Sequence, residues 1–369
     1  MFKSLKENIF VSGLVLAATV GAGLFALPGV FYASGWGIAL FSMILVVACI
    51  VFAHVSFWEA LHKTDGIRGL LGTVRERLGR TAGTVAFWAI VGGLTLTLAA
   101  YLNLGSGFLR TVFPGLGALS LPIFWILVSL PALFSLKRFA KLETGVVSAM
   151  VLIIFFIFFS APEKIAILNS PFAAPGGLAI SFGALLFSLS GWTAIEPITK
   201  LTRGQNSKKK KFFIALGTVF AATLFLAFVF GIFGSTATIT GDTISGLGSW
   251  PEWKLKILAL LGVATIFSIH LMISTEVKNS LSRDSHWGDI AAVSFVIFAP
   301  LLLVWAGLNE FQTVVALAGG IFLAGQYFFI ILVSKKILKF AGWKNFFANV
   351  LLLVFIASAL YEAYRFILQ

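Results

Sequence analysis

Apolar runs of about 20 residues, the length that crosses a hydrocarbon core of about 30 Å, recur from one end of this chain to the other. Inside lipid every backbone polar group has to be satisfied within the protein, so runs of this length are read as helices. Eleven spans are expected, at roughly 9–33, 37–60, 82–108, 120–135, 143–160, 178–199, 212–233, 255–276, 290–307, 311–333 and 346–367. Each is followed by a loop with Gly, Pro or charge. With 11% charged residues against the roughly 25% of soluble domains, the chain cannot cover a water-facing surface of ordinary size. The first run holds Pro28 and continues past signal-peptide length, so it is read as an uncleaved first span.

The net charge of +13 does not point to nucleic acid, because the basic residues sit in short loops between apolar runs. Putting the amino terminus in the cytoplasm places every Lys and Arg on the inner side except Arg110, Lys164, Lys254, Lys256 and Arg365. The expected location is therefore the inner (plasma) membrane, multi-pass, with the carboxyl terminus outside. The loop 66–80 carries Ile67, Leu70, Leu71, Val74 and Leu78 near helical spacing with arginines between, and reads as an amphipathic helix on the inner surface. The four lysines at 208–211 are read as a topology determinant near anionic lipid.

Catalysis finds no support. The single cysteine, Cys49, excludes an internal disulfide framework. The four histidines, His54, His62, His270 and His286, are scattered, with no metal-ligand spacing and no nucleophile arrangement. A phosphate-binding loop is absent. No enzyme, cofactor or metal is expected; the bilayer is the expected partner, and the chain is expected to be a monomer.

Two spans depart from simple helices. The first contains Gly21-Ala22-Gly23-Leu24-Phe25-Ala26-Leu27-Pro28 near its middle; each glycine costs about 1 kcal/mol against alanine and Pro28 removes a backbone donor. Gly21-x-Gly23 alone would equally suit a small-residue packing face. The sixth reads Phe187-Ser188-Leu189-Ser190-Gly191-Trp192 at its centre, followed by Glu196-Pro197. Backbone released at that depth has to be buried in protein or line a cavity. Interrupted helices in corresponding positions of two halves point to a substrate site in an inverted-repeat carrier. Half-helix amino ends attract a carboxylate and free carbonyls attract cations, which suits an amino acid.

The first-span motif, followed by Ser34-Gly35-Trp36, resembles the first-helix signature of the amino acid/auxin permease family, and most of all its bacterial aromatic amino acid permeases. Ala100-Tyr101 with Gly105-Ser106-Gly107, and Ala264-Thr265, are similar to the same permeases. The sixth-span motif resembles the wider amino acid–polyamine–organocation superfamily. The resemblance implies an all-α, leucine-transporter-type fold in one domain: two inverted five-helix repeats, about 8–160 and 178–333, and an extra helix at about 346–367. Helices 1 and 6 would be broken mid-membrane.

It also implies roles. Amides at Gly21, Ala22, Gly23, Leu24 and Phe25 would receive the substrate carboxylate, and carbonyls near Phe187, Ser188 and Ser190 its ammonium group. Tyr101, Gly191 and Trp192 complete the expected pocket. A cation site would join the carbonyls of Ala17 and Val20 to Thr265, on a stripe with Ser268 and Met272. Ile266 stands where sodium-coupled relatives place a second hydroxyl, and Ala18 and Leu24 replace their first-helix asparagines, so proton coupling is preferred over sodium. Glu196 is the expected proton carrier, against a plain ion pair with Lys200. His270 is read as a packing residue, and Glu59, Glu143 and Glu276 as interfacial. The expected activity is import of aromatic or other neutral amino acids by alternating access. A non-transporting amino acid receptor of the same fold is the competing reading.

Overall fold

The computed structural model describes residues 2–64, 69–130, 140–163, 166–202, 207–308 and 310–368. Outside them lie Gly66, Ile67 and Arg68 of the basic loop, and Lys137, Arg138, Lys164 and Arg203. The side chains of Lys3, Lys6, Lys141 and Glu143 are likewise outside. Among the described residues every regular element is a helix.

The first span is two helices, α1 (Phe2–Thr19) and α2 (Gly23–Ser34), meeting at 66°. At the junction the Leu24 and Phe25 amides reach back only three residues, to Gly21 O and Ala22 O. The ladder is thus broken where glycine costs least to unwind. Pro28, by contrast, lies buried inside α2 and does not end it. The second span is α3 (Trp36–Lys63). After it come a short loop helix α4 (Leu70–Leu78) and the third span, α5 (Arg80–Phe87) continuing through a π segment (Trp88–Gly92) into α6 (Gly93–Val112).

Shorter helices α7 (Ser120–Ser129) and α8 (Ala140–Ser160) lead to the sixth span, α9 (Gly177–Leu189) and α10 (Ile195–Leu201). Between these two, Ser190 is extended at φ −69°, ψ 120°. The rest comprises α11 (Ser207–Phe233), α12 (Glu252–Ser285), α13 (Asp289–Trp305), and α14 (Phe311–Leu317) joined by a second π segment (Ala318–Leu323) to α15 (Ala324–Leu338). The last helix is α16 (Gly342–Leu368).

Seven of these helices or helix pairs are long and apolar enough to cross a membrane, the bent first pair makes eight, and three shorter apolar helices fill the remaining places. The broken spans are central: α1 packs on α11, α2 on α9, and α6 runs along α12. The second π segment carries Gly319 and Gly320, and a side chain at Gly319 would meet the Gly183 carbonyl. That close approach seats the tenth span directly on the sixth.

The basic loops share one end of the bundle. Lys211 on α11 pairs with Glu59 on α3, Arg283 on α12 with Glu196 on α10, and Lys336 on α15 donates to Arg77 O in the last turn of α4. Two expectations change here. The loop 66–80 does form a helix in its described part, but Leu70, Leu71 and Val74 are buried against α12 and α15 instead of lipid. The protein offers that apolar face a drier partner than the membrane surface. The eighth span also overruns its expected end at 276 to reach Ser285, because its charged residues, Arg283 and Asp284, are paired there.

Candidate functional site

The two interruptions abut. Ser188 Oγ lies 2.9 Å from Gly23 O and 2.8 Å from Ala184 O, so one hydroxyl ties the start of α2 to the end of α9. A Cβ at Gly23 would stand 2.5 Å from Ser188 Cα, which leaves glycine as the residue that fits. On the other side of the break Thr19 fills the space beside Gly191 and donates to Val15 O at 2.7 Å. Helix ends leave their first amides and last carbonyls without intrahelical partners. Here the ends of four half-helices, carrying those groups, converge in the interior of the bundle.

Aromatic side chains close around the junction. The Tyr101 hydroxyl approaches Gly21, at 2.8 Å from where a Cβ would be, and its ring meets Phe187 edge-on at 6.3 Å. Phe25 packs edge-on against Phe108 at 4.6 Å and Phe228 at 5.6 Å. Beyond Phe108, away from the basic end, a cavity of about 500 Å³ is lined by Asn103, Gly107, Arg110, Asp242, Glu310 and Gln312, among others. Asn103 holds its wall by donating to Leu308 O at 2.9 Å. Thr243 donates to Phe25 O and so ties the loop above to α2.

Toward the basic end, charged side chains cluster beneath the sixth-span break. The Arg283 guanidinium meets Glu196 with Nη1–Oε1 at 2.8 Å and Nη2–Oε2 at 3.3 Å, and Lys200 Nζ is 2.6 Å from Oε1. Arg283 Nε reaches Asp284 Oδ1 at 3.0 Å, Arg75 donates to Asp284 O, and the Gly69 backbone is pressed on the same group. Both Glu196 oxygens thus face cations. Its reading as a proton carrier and the alternative of an ion pair with Lys200 are both joined here by a second cation, Arg283, to which the sequence did not point.

Of the expected residues, Gly21, Ala22, Gly23, Leu24, Phe25, Tyr101, Phe187, Ser188, Ser190, Gly191 and Trp192 gather at the junction. Thr265 donates within its own helix, to Leu261 O at 2.8 Å, and the α12 side chain that reaches Gly21 is Ile269. Ala17 and Val20 are buried and Ser268 is half-buried. His270 contacts Ser274 on its own helix at 3.1 Å.

Three residues to which the sequence assigned no role hold contacts at the breaks. Gln326 and Tyr327, adjacent on α15, hold the sixth-span break: Trp192 Nε1 donates to Gln326 Oε1 at 2.7 Å, and the Tyr327 hydroxyl lies 3.3 Å from Ser190 Oγ. Gln326 Nε2 in turn donates to Ala89 O at 2.9 Å, a carbonyl in the third-span π segment, where the ladder steps aside. His54 on α3 is wholly buried, with Nε2 2.9 Å from the Tyr327 hydroxyl and Nδ1 3.3 Å from Thr218 Oγ1. The available signal was a Gln-Tyr pair inside an apolar run and a histidine at similar depth.

The crystal structure of MhsT in complex with L-phenylalanine matches this architecture with a TM-score of 0.67 at 15% sequence identity, covering 96% of this chain and 98% of that one. At that identity the likeness is of fold: the leucine-transporter type, with helices 1 and 6 broken. No curated protein matches the chain by sequence. The family model of the tryptophan/tyrosine permeases matches residues 5–249, most of the chain. By that match, on a transporter fold and not an enzyme's, the chain belongs to the tryptophan/tyrosine permease family.

Proposed function

We propose that the protein is a secondary carrier for amino acids with aromatic side chains, driven by protons. The observation that carries this reading is the abutment of two interrupted helices inside the bundle, at Gly23 with Ser188 and Thr19 with Gly191. Amides at the amino end of α2, from Gly21 to Phe25, supply positive potential for a carboxylate. Carbonyls at the carboxyl end of α9, around Phe187 to Ser190, supply negative potential for an ammonium group. Both charges of a zwitterion are met by fixed dipoles, and Tyr101, Phe187 and Phe25 surround the position of its side chain. The family's name and the aromatic character of this junction favour tryptophan or tyrosine over small neutral amino acids.

Transport would follow by alternating access. The cavity above Phe108 is the approach from one side, and the Glu196–Arg283 pair is the gate on the other. By the excess of Lys and Arg the gate faces the cytoplasm, with the amino terminus inside and the carboxyl terminus outside. Proton coupling is favoured over sodium because Ile266 stands where a second hydroxyl would join Thr265, and Ala18 and Leu24 offer no side-chain oxygen beside the first-span break.

The test is uptake of labelled L-tryptophan and L-tyrosine into proteoliposomes under an imposed pH gradient or an imposed sodium gradient. Accumulation driven by the pH gradient supports the reading. Accumulation driven only by sodium reassigns the ion, and binding without accumulation under either gradient marks a receptor.

A further inference from the structure

The sixth-span break is connected to one buried titratable group that the transport cycle above does not use. From Ser190 Oγ a chain of polar atoms runs to the Tyr327 hydroxyl at 3.3 Å, to His54 Nε2 at 2.9 Å, and from Nδ1 to Thr218 Oγ1 at 3.3 Å. It starts just past the end of α9 and links α15, α3 and α11. We propose that His54 is the residue that takes up and releases the coupled proton, reading the sixth-span break through Tyr327 and Ser190. This rests on the carrier reading of the previous section.

The chain has two polarities. With a neutral ring that accepts at Nε2, Tyr327 donates to His54 and Ser190 is free to donate to Tyr327. A ring protonated on both nitrogens donates at both. The Tyr327 oxygen is then taken, its proton has to point to Ser190, and Ser190 has to offer its own proton to whatever occupies the break. The proton on His54 therefore decides which way the hydroxyl at the substrate position points. Transfer inward balances: one proton arrives on Ser190 Oγ, the Ser190 proton moves to Tyr327, and the Tyr327 proton moves to Nε2. Both hydroxyls are restored and the imidazole has gained one proton.

The same helix stripe leads from His54 toward the basic end. His54, Trp58 and His62 are spaced by four, Trp58 and His62 stack at 5.0 Å, and a cavity of about 610 Å³ at the basic end is lined by Trp58, Glu59, His62 and Lys63 with Lys211, Lys339 and Lys344. Trp58, whose indole donates to Thr202 Oγ1 at 3.2 Å, separates that cavity from His54. His62 Nδ1 is buried without a partner among the described residues.

Among the described residues the imidazole's hydrogen-bond partners are the Tyr327 and Thr218 hydroxyls, and no carboxylate. On the elements packed against α3 and on α3 itself, the titratable groups are these. α15 carries Tyr327 with Lys335 and Lys336, and α11 carries Lys208, Lys209, Lys210 and Lys211 at its basic end. α10 carries Glu196 and Lys200, bound up with Arg283; α2 carries Tyr32, and α9 none. α16, whose Trp343 and Phe347 meet Phe52 of α3, carries Lys344, Tyr361, Glu362, Tyr364 and Arg365. α3 itself adds Cys49, Glu59, His62 and Lys63. A charge on His54 is thus balanced only by hydroxyl dipoles, which makes it a state to be entered and left within a cycle, because an unpaired buried charge is costly.

The test uses the full chain in nanodiscs with L-tryptophan and L-tyrosine as probes. Proton uptake on ligand addition is read with an indicator dye in weak buffer, and Kd is measured from about pH 5 to about pH 8.5, the range that brackets an ordinary imidazole. The wild type is expected to take up about one proton per ligand bound, with Kd rising by up to tenfold per pH unit above the midpoint, as linkage of about one proton requires. His54→Gln is expected to abolish the uptake and flatten the profile, whatever its absolute affinity. Tyr327→Phe, which keeps the imidazole but cuts the chain, is expected to flatten it as well, and serves if the first variant does not fold. Wild-type proton uptake in either variant overturns the proposal. Wild-type binding without proton uptake overturns it while the carrier reading stands; a wild type that binds neither amino acid overturns both.

Discussion

A single methyl group at Gly23 tests the site directly. In Gly23→Ala the new Cβ would sit 2.5 Å from Ser188 Cα, 2.7 Å from Oγ and 2.9 Å from Cβ. Carbon atoms settle at about 3.5–4.0 Å, so α2 and α9 have to separate by about 1 Å at the junction. Rotation of Ser188 relieves only the Oγ contact, because the closest atom belongs to the backbone. Overpacking of this kind costs about 1–3 kcal/mol. Weakening the Ser188 bond to Gly23 O adds about 0.5–1.5 kcal/mol. For a ligand held between the two helix ends, a misplacement of about 1 Å is worth about a hundredfold.

The expected result is therefore a Kd for L-tryptophan or L-tyrosine raised about a hundredfold, equivalent to about 2.7 kcal/mol. The assay is ligand-induced thermal shift of the purified protein, backed by uptake in proteoliposomes. Gly13→Ala is the control: nothing lies within 4 Å of its Cβ position, and alanine favours the helix. A Gly23→Ala protein that binds and transports like the wild type would refute the assignment of the junction as the substrate site.

Other consequences follow from the same geometry. Glu196→Gln removes one side of the Arg283 pair and is expected to weaken the closed basic end by about 1–3 kcal/mol, discounted from a fully buried pair because Arg283 is partly exposed. Faster maleimide labelling of a cysteine placed at Thr199, in a Cys49→Ser background, reads that opening; unchanged labelling would remove the pair from gating. Gln326→Leu leaves the Trp192 indole N–H and the Ala89 carbonyl unpaired, at about 1–3 kcal/mol each. A melting temperature no lower than the wild type's would contradict that account. Gly319→Val places a side chain on the Gly183 carbonyl, and loss of folded protein in size-exclusion chromatography is the expected outcome.

The spans and both interruptions could be read from sequence because lipid punishes unpaired backbone, so glycine and serine in the middle of an apolar run carry meaning that they lack in water. Pro28 was the misleading neighbour: the chain unwinds at 20–22, and the proline rides inside the following helix. Loop helix α4 was recognisable by period, yet periodicity does not say whether lipid or protein covers the apolar face. For α12, hydropathy marks where lipid ends, whereas the helix continues for as long as its charges find partners in Glu196 and Asp284. Gln326, Tyr327 and His54 were beyond reach for a topological reason. They lie on the second and tenth spans, and only the tertiary arrangement brings them onto Ser190 and Trp192.

The overrun of α12 makes it a lever. Ile269 touches the first-span break, and Arg283 lies fourteen positions further on, about 21 Å along the axis at about 1.5 Å per residue. A tilt of about 10° about that pivot swings the guanidinium through about 3.6 Å, more than an ion pair at hydrogen-bonding distance survives. Angular adjustments at the fulcrum too small to disturb helix packing are thereby converted into unlatching at the tip.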